Sequence, residues 1–106
     1  MHTGLVICGD FNDEPTSPAI IEMKQSYKSC YDKVLREEPA FSTYKFRLTE
    51  GMVKRVIDYV FIRDNQFRPV GYLQLPNEDD IDSEMGNPCR DHPSDHYSLC
   101  FDLIPI

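Results

Sequence analysis

The chain has 106 residues, 41% of them hydrophobic and 27% charged, and 18 Asp plus Glu against 11 Lys plus Arg give a net charge of -7. That is one small domain at most, and the mixture is unlike disordered, collagenous or repetitive chains. The negative balance excludes broad nucleic-acid affinity, which needs a basic face, but not an enzyme that holds divalent cations over a phosphate ester with its carboxylates.

In chain order, Gly4 to Gly9 is a continuous apolar run closed by Gly9-Asp10 and Asn12-Asp13-Glu14-Pro15. It predicts a strand buried on both faces and ended by a loop. Thr16 or Ser17 before Pro18 then supplies a helix start, with Ile20, Ile21 and Met23 following. Tyr31, Val34 and Leu35 recur at helical spacing and stop before Pro39, so a short helix or turn is expected there.

Phe41 to Arg47 is rich in β-formers and reads as a strand. Val56 to Ile62 is the clearest strand in the chain, Phe67 to Leu75 the next, and His96 to Leu103 the last. Pro76 to Pro93 carries Glu78, Asp79, Asp80, Asp82 and Glu84 with Gly86, Pro88 and Pro93, and reads as a solvated acidic loop. Its oxygens do not fall in the register of a calcium loop.

No apolar stretch approaches the roughly 18 residues needed for a membrane span. The N-terminus lacks the basic start, apolar centre and small-residue cleavage site of a secretory signal. Four cysteines at 8, 30, 89 and 100, without a C-x-x-C pair, fit reduced thiols better than a disulfide scaffold. The expectation is an intracellular, cytoplasmic chain with no organelle address legible in it.

Three clusters could carry chemistry. Asp10 and Asn12, two apart after a strand, point to one side, one accepting from a water or metal and the other donating to an anion; the pair equally suits a turn. Asp58 lies inside an apolar strand, where an unpaired carboxylate costs several kcal/mol. It therefore needs a dedicated donor: Lys54, Arg55, backbone amides or an imidazole. Pro93-Ser94-Asp95-His96 offers that imidazole and a second carboxylate. His92 and His96 are four apart, but Pro93 disfavours the helix that a structural zinc pair would need.

The ordered set Gly9-Asp10-Phe11-Asn12, Ile57-Asp58-Tyr59 and Ser94-Asp95-His96 resembles the C-terminal motifs of the endonuclease/exonuclease/phosphatase superfamily. Phe41 to Arg47, Lys54 to Phe61 and His92 to Leu99 look most like its nocturnin and carbon-catabolite-repressor-type deadenylase branch. The inositol 5-phosphatase branch fits less well, because its Trp-bearing motif is absent and the chain has no Trp.

The resemblance implies an α/β fold, the C-terminal portion of a two-sheet, deoxyribonuclease-like sandwich, incomplete as given. Residues 1-106 would be the C-terminal part of one domain, with the N-terminal half and its metal-binding glutamate absent, so this chain alone is expected to be inactive. Asp10, Asn12, Asp58, Asp95 and His96 should cluster at one edge. His96 would contact the scissile phosphate or act as acid/base, Asp58 would hold its imidazole, Asp10 would position the attacking water, and Asn12 would donate to phosphoryl oxygens. Asp95, with Asp10, would hold Mg2+ or Mn2+.

Tyr44, Lys45 and Arg47 are candidates for the substrate side, an aromatic face with two cations, against the plainer reading of a core tyrosine and a solvated strand face. The implied substrate is an adenine-containing phosphate ester, a poly(A) RNA 3′ end or an NADP(H)-type nucleotide. The alternatives are a non-catalytic fragment or pseudoenzyme acting through a protein partner that covers an exposed sheet face, and a sphingomyelinase-like or abasic-site nuclease within the superfamily.

Overall fold

A computed structural model describes residues 4–81, 86–89 and 92–106. Met1 at the start, Asp82 and Glu84 of the acidic segment, and Asp91 beside His92 lie outside the described residues.

The fold is α/β, built from antiparallel sheets with two short helices. The strands are β1 (Val6–Asp10), β2 (Lys28–Ser29), β3 (Thr43–Arg47), β4 (Gly51–Arg55), β5 (Asp58–Ile62), β6 (Phe67–Tyr72) and β7 (Phe101–Pro105). The helices are α1 (Pro18–Ser26) and α2 (Cys30–Leu35), with a single 3-10 turn at Glu78–Asp80. β5 lies between β1 and β2, β3 pairs with β4, and β6 with β7. Among the described residues no helix is long and apolar enough to cross a membrane.

β5 is central because Tyr59, Phe61 and Ile62 give it fully buried, β-forming side chains. Tyr59 and Phe61 share one face, where they form a core with Ile20 and Val56; Ile7, Phe11, Met23 and Tyr27 pack around it. Phe11 meets the edges of both rings, 5.6 Å from Tyr59 and 5.4 Å from Phe61. Helix α1 supplies Ile20 and Met23. It starts where Ser17 Oγ accepts the Ile20 amide at 3.4 Å and Pro18 occupies the first turn, while Ile21 on its other side is exposed.

The expectation that β1 is buried on both faces is overturned. Of its five residues only Ile7 is partly buried, and Val6 and the preceding Leu5 are 39% and 47% exposed. β1 is an edge strand whose Ile7 side faces the core, while the side bearing Val6, Cys8 and Asp10 carries no covering layer among the described residues. An uninterrupted apolar run does not distinguish one covered face from two.

The other elements depart in extent. Val56–Ile57 precede β5 rather than joining it, so Asp58 opens the strand instead of sitting mid-strand. β4, whose five residues include only Met52 and Val53 as apolar side chains, is not among the expected strands; the final strand begins at Phe101 rather than His96, and β6 ends at Tyr72. The segment expected as a helix or turn after Tyr27 opens with β2 and continues as α2, closed by Arg36 at φ 63°. The acidic loop contains the 3-10 turn.

A candidate active site at the mouth of the sheet

The antiparallel register of β1 and β5 sets Asp10 directly opposite Asp58. Gly9, at φ 147°, has a backbone conformation that side-chain-bearing residues resist, and it fixes the direction in which Asp10 leaves the strand. The chain then turns through Asn12 at φ 53°, a left-handed position that Asn tolerates. The Asn12 amide donates to Asp10 Oδ1 at 2.8 Å, closing an Asx turn that orients the carboxylate.

The third member arrives from far along the chain. Residues 95–97 lie against the start of β3: the Tyr44 amide donates to the Asp95 carbonyl at 3.0 Å, and the Tyr97 amide to the Ser42 carbonyl at 2.9 Å. Thr43 thereby bridges His96, and a Tyr97–His92 stack at 4.4 Å braces the segment. His92 also meets the His96 carbonyl through Nε2 at 2.8 Å. It therefore serves as a strut for His96.

His96 Nδ1 lies 2.9 Å from Asp58 Oδ2 and 3.1 Å from Oδ1. A carboxylate only accepts, so Nδ1 carries the proton and Nε2 faces outward. Nε2 is 3.8 Å from Asp10 Oδ2 and 3.9 Å from Asp95 Oδ1, too far for direct hydrogen bonds and close enough for one shared oxygen or cation between them. One ligand atom from each of Asp10, Asp58 and His96 falls within a 4.8 Å group. Carboxylate oxygens beside an imidazole nitrogen make a donor set for a divalent cation. Asp10 and Asp58 open on a groove of about 260 Å³ whose lining also includes Cys8, Val60, Tyr97 and Leu99.

Asp95 is engaged by Lys45, whose Nζ lies 3.2 Å from Oδ2. Burial alone would raise the Asp95 carboxyl, but the Lys45 hydrogen bond, its own backbone amide and the charges of Lys45 and His96 outweigh it and hold the group below its ordinary value.

The remaining candidates are placed differently. The Asn12 side chain sits on the exposed side of its turn, lining a shallow hollow with Glu14, Ser17 and Arg55 rather than the groove. The Tyr44 ring is buried against Phe41 at 5.4 Å, and its hydroxyl donates to Glu78 at 3.4 Å. That burial favours the core reading of Tyr44 over a stacking platform. Glu78 also binds Lys54 at 2.7 Å, and that hydrogen bond holds its carboxyl below the usual range. Arg47 lies 3.9 Å from Glu50.

Ser42 was not a candidate, yet it is fully buried and touches Asp58 directly at 2.8 Å. A small hydroxyl at the head of a β-forming run carries no sequence signal that separates it from a turn or cap residue.

The chain belongs to the Endonuclease/Exonuclease/phosphatase family, whose model matches residues 2–96. It is 36% identical over 106 residues to Nocturnin of Xenopus laevis, covering 93% of this chain and 26% of that protein. It is 31% identical over 108 residues to Carbon catabolite repressor protein 4 homolog 4 of Arabidopsis thaliana, covering 90% and 25%. With 2′,5′-phosphodiesterase 12 of Mus musculus it shares 27% identity over 121 residues, covering 93% and 19%. The chain thus spans about a quarter of the length of the relatives it matches.

Proposed function

We propose that the chain is the C-terminal part of the catalytic domain of a metal-dependent phosphoester hydrolase acting on an adenine-containing phosphate ester, either a poly(A) 3′ end or the 2′-phosphate of an NADP(H)-type nucleotide. The observation that carries this reading is the Asp58–His96 pair, with Nε2 turned toward Asp10 and Asp95. Asp58 holds the imidazole through Nδ1–H, which leaves Nε2 to take and return a proton at the reacting centre; once protonated there, the ring donates to a phosphoryl oxygen. Asp10 orients the attacking water, and Asn12 turns in over the phosphate to donate its side-chain amide. Asp10 and Asp95 would hold the divalent ion, which when bound polarises the phosphoryl group and offsets its charge. Lys45 and Arg47 would supply cations for the substrate phosphate.

The test is magnesium-dependent hydrolysis of NADPH and of a short poly(A) oligomer, run in parallel on this chain and on a longer chain that adds an upstream family half. Turnover in the longer chain, abolished by His96→Ala or Asp10→Ala with the fold retained, is the expected result, and the preferred substrate names the branch. Turnover that survives both substitutions overturns the assignment. A second reading, a non-catalytic chain that associates through its sheet face, is favoured by the exposure of Leu5 and Val6 on β1; it gains if neither chain hydrolyses either substrate.

A further inference from the structure

The buried hydroxyl of Ser42 has an unusually constrained set of partners. Its Oγ accepts the backbone amides of Ile57 at 3.0 Å and Asp58 at 3.2 Å. Those two bonds occupy both lone pairs, so the single hydroxyl hydrogen can only be given away. Two acceptors lie within reach, Asp58 Oδ2 at 2.8 Å and the Arg55 carbonyl at 3.3 Å. The shorter, charge-assisted contact takes it. Asp58 Oδ2 therefore receives the Ser42 hydroxyl on one side and the His96 Nδ1–H on the other.

We infer that Ser42 is a positioning residue of the site: it sets the angle of the Asp58 carboxylate and thereby the direction in which His96 presents Nε2. The inference rests on the functional reading above for its consequence, but its geometry stands on Ser42, Asp58 and His96 alone. Its backbone is as constrained as its side chain. The Ser42 amide donates to the Arg55 carbonyl at 2.7 Å, and its carbonyl accepts from Tyr97 at 2.9 Å. One residue thus joins the end of β4, the start of β5 and the segment that carries His96. The donor position is defined by strand pairing rather than by a flexible side chain.

The readout is long-range proton–nitrogen NMR of the imidazoles in the 15N-labelled 106-residue chain. The wild-type His96 ring is expected protonated at Nδ1, with a slowly exchanging Hδ1 locked against Asp58. In Ser42→Ala, exchange of that proton should rise at least about tenfold, the loss of one charge-assisted hydrogen bond. Ser42→Thr, which keeps the hydroxyl, should stay within about twofold of wild type. Ser42→Ala also strips the acceptor from two buried amides. Ser42→Cys, whose thiol is a weak donor, gives a second reading if the alanine variant unfolds, and it too should exchange faster than wild type.

An unchanged Hδ1 rate in Ser42→Ala or Ser42→Cys, with the β1 and β5 amide signals intact, overturns the role of Ser42 while leaving the Asp58–His96 pair standing. A wild-type His96 protonated at Nε2 instead overturns both this inference and the functional reading beneath it.

Discussion

Replacing Asp10 by Asn should make the protein more stable while it removes the function. Asp10 and Asp58 are direct cross-strand partners, an arrangement that disfavours like charges, and their facing oxygens lie within 4.8 Å. At that distance two unit charges repel by about 0.9 kcal/mol in bulk water and about 3.5 kcal/mol at an effective dielectric of about 20. The Asp10 side chain is 49% exposed and the Asp58 side chain 14%, so the lower end governs and relief of about 1 kcal/mol is expected. Asn keeps the oxygen that accepts the Asn12 amide, so the turn survives and the change is chiefly one of charge. Urea denaturation at low salt should show the gain at an unchanged slope, and it should shrink as added salt screens the pair. Added magnesium should stabilise wild type, because an ion that binds only the folded state shifts the equilibrium, and should have little effect on Asp10→Asn. A variant less stable than wild type, or a wild type indifferent to magnesium, would refute the reasoning.

Phe61→Ala should cost about 3–5 kcal/mol, since the ring is fully buried between Phe11 and Tyr59; a thermal melt showing a loss under about 1 kcal/mol would contradict the assignment of the core. Cys30 is buried and its thiol is pushed up to about 11, first by burial and then by the Glu38 charge. Iodoacetamide near pH 8, followed by mass spectrometry, should therefore modify the exposed Cys8 and Cys100 and spare Cys30; equal labelling of all three would contradict the packing. The Asp95 carboxyl titrates below its ordinary value of 3.8, so its contribution to stability is complete above that value and is lost as pH falls through the lower, folded one. The acid limb of a pH–stability curve should be less steep in Asp95→Asn than in wild type, and coincident limbs would show the Lys45 contact to be inconsequential.

The sequence makes local features legible where one residue type has one use. Ser17-Pro18 marks a helix start because few alternatives exist for a hydroxyl followed by proline, and α1 begins there. An aspartate beside Tyr59, Val60 and Phe61 demands a donor, and the imidazole is that donor. What was not legible depends on layers the sequence does not label. Leu5 to Cys8 has the same apolar content whether one or two faces are covered, and only the edge position of β1 decides. Tyr44 reads equally as a stacking platform or a core ring until Phe41 and Glu78 are seen around it. β4 escaped notice because only Val53 among its five residues is buried, and pairing with β3 rather than intrinsic preference makes it a strand. The side-chain partners of Ser42 are 13 to 16 residues away, beyond the reach of any local pattern.

The attachment of His96 to the head of β3 also bears on how the molecule is lost under stress. Asp58 and His96 are 38 residues apart in the chain, and bringing such ends together costs about 3 kcal/mol of chain freedom by loop-closure scaling. That cost is met by two backbone bonds, the histidine–tyrosine stack and the Asp58 contact, rather than by the core around Phe61. The His96 segment is therefore expected to open away from Asp10 and Asp58 while the β1–β5–β2 sheet that carries them persists, a sub-global opening of lower free energy than complete unfolding. Mild heat or dilute denaturant would then separate His96 from Asp58 before circular dichroism registered any loss of structure, and cooling would restore the pair without a full refolding event.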